Sequence, residues 1–143
     1  MEFADGTVEQ IYCHWDGYLS NNGRILQEHY QDPFKVQQLI DGGAVSSLRP
    51  EIGEKHAFSQ FEGNMCGFEY DRLYGDMTTF YARDRGEDLV KNKFKDLADY
   101  RKNAQSEEYN YILRSDGRWY VEFYGKFNGL LTEAFEHDAM EDA

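Results

Sequence analysis

Residues 109–124 leave this chain few options. Tyr109, Tyr111 and Leu113 fall on alternate positions, and so do Trp119, Val121 and Phe123, on either side of Ser115-Asp116-Gly117. A period of two around an Asp-Gly break predicts an antiparallel hairpin, Tyr109–Arg114 with Arg118–Tyr124, carrying those six side chains on one face. Gly125 and Asn128-Gly129 then end the second strand.

The rest of the chain is read around that hairpin. Phe3-Ala4, the pair Asp5-Gly6 and the β-forming run Thr7–His14 predict a second hairpin, with a type I′ turn. Ile25, Leu26, His29 and Tyr30 mark one face of a helix from Arg24. Asp32-Pro33 starts another, with Asp32 as cap and Pro33 in the first turn. It presents Val36, Leu39 and Ile40 and stops at Gly42-Gly43. Residues 44–75 show no dominant period, only short extended pieces around His56–Phe61. Met77–Ala82 reads as a strand. Asp88 then caps the strongest helical pattern, Leu89 to about Gln105, with Val90, Phe94, Leu97 and Ala98 as its apolar stripe. A last helix spans Leu130 to about His137, and residues 136–143 read as a mobile acidic tail. The expected architecture is one α+β domain over 1–143: an antiparallel sheet of about four to six strands with three or four helices packed mainly on one face.

Charge narrows the partners. In 143 residues, 15 Lys and Arg stand against 27 Asp and Glu, a net −12 spread over both halves of the chain. A net anion is repelled by phosphate, so direct nucleic-acid binding is not expected. No apolar run is long enough to span a bilayer. Met1 is followed by Glu2, Phe3, Ala4 and Asp5 rather than a basic and then an apolar run, so no secretory signal is expected and the cytoplasm is the expected compartment. There, Cys13 and Cys66 stay reduced.

No motif announces catalysis. His14, His29, His56, His137, Cys13 and Cys66 lack the close spacing of metal ligands, and Cys13 and His14 point to opposite faces of a strand, so no metal and no cofactor is expected. There is no Gly-x-Ser-x-Gly elbow and no phosphate loop. Arg83 and Arg85, between a strand and a helix, could hold an anion, or they could pair with Asp84, Glu87 and other nearby acids. The loop Trp15-Asp16-Gly17-Tyr18 could be an aromatic hot spot for a partner, or it could fold over a sheet edge as satellite core. An exposed sheet edge would also allow a homodimer.

The strings Ile11–Tyr18 (Ile-Tyr-Cys-His-Trp-Asp-Gly-Tyr), Asn22-Gly23-Arg24, Glu28-His29-Tyr30, Ile40–Gly43, Ser46-Ser47-Leu48, Pro50–Gly53 and Phe80–Glu87 resemble a small family of bacteriophage and prophage accessory proteins with a His-Trp-Asp-Gly-Tyr motif. That resemblance implies a phage-encoded protein acting on host machinery, and it carries no catalytic residue across. Combined with the charge, the expectation is an acidic inhibitor of a host nucleic-acid-handling defence complex with a basic groove, such as a CRISPR effector, acting by nucleic-acid mimicry. Its expected contacts are Trp15, Asp16, Tyr18, Glu133, Glu136, Asp138, Glu141 and Asp142. The alternatives are a module for a small anionic ligand such as a signalling nucleotide, using Arg83 and Arg85, and a small enzyme built on His14, Asp16 and Arg83–Glu87.

Overall fold

The computed structural model describes residues 1–104, 107–123 and 127–142, the side chains of 139–142 excepted. The hairpin read from the alternation is there. Strand β5 (Tyr109–Leu113) pairs antiparallel with β6 (Trp119–Phe123), placing Tyr109, Tyr111 and Leu113 opposite Phe123, Val121 and Trp119. β7 (Phe127–Leu130) adds to the far edge of β6. Gly117 at φ +80° lets its N–H reach Arg114 O at 2.9 Å, so the turn closes with a glycine in the left-handed region. The N-terminal hairpin turns the same way. Gly6 sits at φ +90° with its N–H on Phe3 O, and Asp5 is not at positive φ, so the turn is not the expected type I′.

The chain is α+β, but the single sheet of the sequence reading is divided. Among the described residues seven strands form three small antiparallel sheets: β5–β6–β7, β1 (Val8–Gln10) with β4 (Asn92–Phe94), and β2 (Val45–Ser47) with β3 (Thr79–Phe80). The division has a visible cause. The run expected as one strand over Thr7–His14 pairs with β4 only as far as Gln10, then changes partner. Beyond it, Tyr12 O accepts from Val45 N and His14 N donates to Val45 O, at 2.7 and 2.9 Å.

Six helices are described: α1 (Arg24–His29), α2 (Pro33–Asp41), α3 (Gly67–Tyr74), α4 (Tyr81–Arg85), α5 (Leu97–Asn103) and α6 (Leu131–Asp142), with a π-helical turn at Leu19–Gly23 ahead of α1. That is more than the three or four expected, and they are not confined to one face: α1 and α2 supply the core beside β2 and β3, whereas α6 covers β6 and β7. Asp32 caps α2 by accepting from Phe34 N at 2.9 Å. Asp32→Ala should lower the unfolding free energy by about 1 kcal/mol, readable in a urea melt, and an unchanged melt would refute the cap's role.

The largest correction falls on residues 89–105. No helix spans Leu89–Gln105. Leu89 and Val90 run beside Gly43, where Ala44 N donates to Val90 O, and Asn92–Phe94 supply the partner strand for β1. Helix starts only at α5, because Asp96 rather than Asp88 caps it, accepting from Asp99 N at 2.7 Å. Gln105 lies outside the described residues. Met77–Ala82 shortens to β3, since Tyr81 and Ala82 already belong to α4, and no strand forms at His56–Phe61. The last helix continues past His137 through Asp142, into the segment expected as a tail.

Two apolar clusters result. One joins Leu26, Tyr30, Val36, Leu39, Ile40, Val45, Leu48, Phe80 and Leu113; the other joins Leu19, Val121, Phe123, Leu131 and Ala134. Tyr111 and Trp119 pack against both and so tie the hairpin to each half. Among the described residues no helix is long and apolar enough to cross a membrane.

Candidate functional site

An open cleft of about 750 Å³ lies between the segment Gln10–Tyr18, strand β5 and Tyr100 of α5. Three stretches far apart in sequence build it. The Gln10–His14 run leaves β4 and crosses to β2, so its side chains meet the outer side of the hairpin. The Trp15–Tyr18 loop is then held by the π-helical turn. The buried Asn22 side chain donates to Trp15 O and to Cys13 Sγ, each at 3.3 Å, and Asn21 Nδ2 donates to Asp16 O at 3.3 Å. From the other wall, the Tyr111 hydroxyl donates to Gly17 O at 2.6 Å. Asp16 itself sits at φ +60°, a left-handed position that aspartate tolerates better than most residues and that carries its carboxylate to the cleft.

The lining is aromatic and acidic. Tyr12, Tyr18, Tyr100, Tyr109 and Tyr111 contribute rings, and Tyr109 and Tyr111 stand parallel along β5 at 6.4 Å between centroids. Asp16, Glu9, Glu107 and Glu108 contribute carboxylates, and no lysine or arginine side chain is among the lining residues. Glu9 is already neutralised by Lys91 at 2.7 Å. Burial raises the hydroxyl pKa values of Tyr12, Tyr109 and Tyr111, and the negative charges of Glu107 at Tyr12 and of Glu108 at the other two push them further up. These rings therefore stay neutral near pH 7. The negative charge of Asp138 on α6 raises Tyr109 in the same sense.

Cys13 is not set up as a nucleophile. Burial pushes its thiol up, disfavouring the thiolate, and its sulfur is engaged with Asn22 and Trp15 O. His14 Nδ1 lies 3.0 Å from the Tyr12 hydroxyl, on an exposed edge. Among the described residues no three His, Cys, Asp or Glu side chains gather as metal ligands.

Of the residues singled out from sequence, Asp16 and Tyr18 line the cleft and Trp15 does not. Trp15 is exposed, its indole set edge-on to His14 at 4.5 Å. Glu133, Glu136 and Asp138 are exposed on α6, whose buried Leu131 and Ala134 pack with Leu19, the residue after Tyr18. The aromatic loop and the acidic helix are thus neighbours. The side chains of Glu141 and Asp142 lie outside the described residues. Arg83 and Arg85 sit elsewhere, on α4, and both are engaged. Arg83 pairs with Asp84 at 2.9 Å and donates to Ile52, Gly53 and Thr78 carbonyls. Arg85 pairs with Glu62 at 3.0 Å and covers the Phe58 ring. Tyr100, Glu107 and Glu108 were not singled out from sequence; the signal, an acidic pair running straight into the Tyr-x-Tyr of a strand, is weak without the opposite wall. No family model, no curated protein and no solved structure is significantly similar to this chain.

Proposed function

We propose that the protein is a non-enzymatic, phage-encoded inhibitor that docks on a basic groove of a host nucleic-acid-handling defence complex in the cytoplasm of the infected bacterium, a CRISPR effector being the leading target. The observation that carries this reading is the pairing of two exposed surfaces. The carboxylates of Glu133, Glu136 and Asp138 stand clear on α6, and the exposed Tyr18 lies on the loop whose next residue packs under that helix. Carboxylates so displayed replace phosphates in a basic groove, and the aromatics add area that survives salt. The phage origin rests on the sequence strings. A small anionic ligand gains no support, because Arg83 and Arg85 are engaged within the chain and no lysine or arginine lines the cleft.

The test is affinity capture from bacterial lysate, with bound proteins identified by mass spectrometry after low- and high-salt washes. A nucleic-acid-handling complex is expected to be retained at low salt and released at high salt. Glu133→Gln/Glu136→Gln/Asp138→Asn should weaken its binding by about ten-fold, since each rim charge contributes only a few tenths of a kcal/mol to about 1 kcal/mol. Full retention of the triple variant in high salt would overturn the mimicry.

A further inference from the structure

The cleft has a property that docking through α6 does not use. Its volume of about 750 Å³ is that of a small-ligand site rather than a surface dimple. Its side-chain charge leans to one sign: Asp16, Glu107 and Glu108 line it with no lysine or arginine. Asp16 and Glu108 are pure acceptors and the tyrosine hydroxyls can accept or donate, whereas three of the nearby amide and indole donors are committed: Asn22 Nδ2 to Trp15 O, Asn110 Nδ2 to Glu107 O and Trp119 Nε1 to Tyr30 O. Neither Asp16 nor Glu108 has an ion-pair partner among the described residues. The acceptors sit among aromatic faces, with Tyr109 and Tyr111 parallel on one wall and Tyr12 and Tyr18 on the other.

A phosphate or carboxylate entering here meets the like charge of Asp16, Glu107 and Glu108 with no lysine or arginine to offset it. A cation meets the reverse. Guanidinium supplies up to five N–H donors and no acceptor, in a plane that lies flat on a tyrosine ring. An alkylammonium supplies a compact charge attracted to the same faces. We propose that this cleft is a binding site for an organic cation of the guanidinium or alkylammonium class, held by Asp16 and Glu108 and stacked between the walls carrying Tyr12 and Tyr111. The group arrives either as a free small cation or as an arginine side chain on a polypeptide.

The test titrates the full chain with agmatine and, separately, with acetyl-Gly-Arg-Gly-amide, followed by calorimetry and by the NMR signals of the Tyr12, Tyr109 and Tyr111 rings. Saturable binding with shifts at those rings is expected. A peptide at least about ten-fold tighter than agmatine identifies the polypeptide source, and agmatine equal or tighter identifies the free cation. Asp16→Asn/Glu108→Gln, checked as folded by its melting curve, should weaken binding by about three- to ten-fold. Glu133→Gln/Glu136→Gln should leave it unchanged, which separates this site from the docking surface of α6. The proposal is overturned if neither probe saturates, if neutral pentanamide gives the same shifts, or if Asp16→Asn/Glu108→Gln binds as the parent does. None of these measurements uses a host complex, so their failure leaves the inhibitor reading standing, and the converse holds.

Discussion

Asp84→Ala is expected to lower the unfolding free energy by about 3–5 kcal/mol, the cost of removing one partner from a buried charge pair. The Asp84 side chain is fully buried. Its Oδ1 accepts from Arg83 Nε at 2.9 Å and from His56 N at 3.1 Å, and its Oδ2 accepts from Phe80 N at 2.8 Å and Arg83 Nη2 at 3.1 Å. One carboxylate therefore joins the 52–56 loop, β3 and the first turn of α4. Around it, His56 is fixed through both ring nitrogens. Its Nδ1 faces Glu54 O at 2.8 Å, and a carbonyl only accepts, so Nδ1 carries a hydrogen, while Nε2 is hydrogen-bonded with the Thr79 hydroxyl at 3.1 Å. Tyr74 of α3 stacks on the imidazole at 5.0 Å. Alanine leaves the backbone N–H groups of His56 and Phe80 and the Arg83 Nε and one Nη2 N–H without acceptors. The melting temperature should fall by roughly 10–20 °C for a chain of this size. Asp84→Asn keeps the shape and should fall between parent and alanine. A loss below about 1 kcal/mol for Asp84→Ala would show that water replaces the carboxylate and that the clasp is not needed.

Tyr30→Ala should cost a similar amount, about 3–5 kcal/mol, for a different reason: an emptied cavity in the main core. Tyr30 is completely buried among Leu26, Val36, Leu39 and Phe80, and its hydroxyl donates to Arg49 O at 2.8 Å. Tyr30→Phe keeps the volume and removes only that bond and the contact with Thr78, so about 1–2 kcal/mol is expected. Burial pushes the Tyr30 hydroxyl from 10 up to about 12. In the unfolded chain it ionises from pH 10, in the folded chain only near 12, so the folded form holds more protons in between and stability falls as pH rises through that window. Urea melts across that range should show the fall, and Tyr30→Phe should reduce its slope. Equal slopes in parent and variant would assign the alkaline loss to other groups.

The candidate site was half legible. Asp16 and Tyr18 stood out because large aromatics around an Asp-Gly step are unusual for a loop, and both reach the cleft. The opposite wall did not stand out. Tyr109 and Tyr111 look like any sheet face until the Gln10–His14 run is seen to change partner and face them. Arg83 and Arg85 are flanked by acids in sequence, and pairing with Asp84 and Glu62 is what the chain adopts. The distant partners of that clasp, His56 and the carbonyls of residues 52 and 53, could not be named from spacing.

What the sequence determined by itself is what neighbours within a few residues decide. Alternation about Ser115-Asp116-Gly117 makes β5 and β6, and Asp32-Pro33 with Gly42-Gly43 brackets α2, because turn geometry, caps and side-chain period are local properties. Tertiary structure alone decided residues 89–104 and the path of 44–75. A helical stripe at Val90, Phe94, Leu97 and Ala98 offers less than 1 kcal/mol per residue in propensity. Pairing Asn92–Phe94 with β1 satisfies two strands' backbone groups at once, and Leu89 packs closely against Gly43, where a Cβ would meet its Cγ at 2.9 Å. The same long-range pairing turns Gln10–Tyr18 toward β5 and opens the cleft between them.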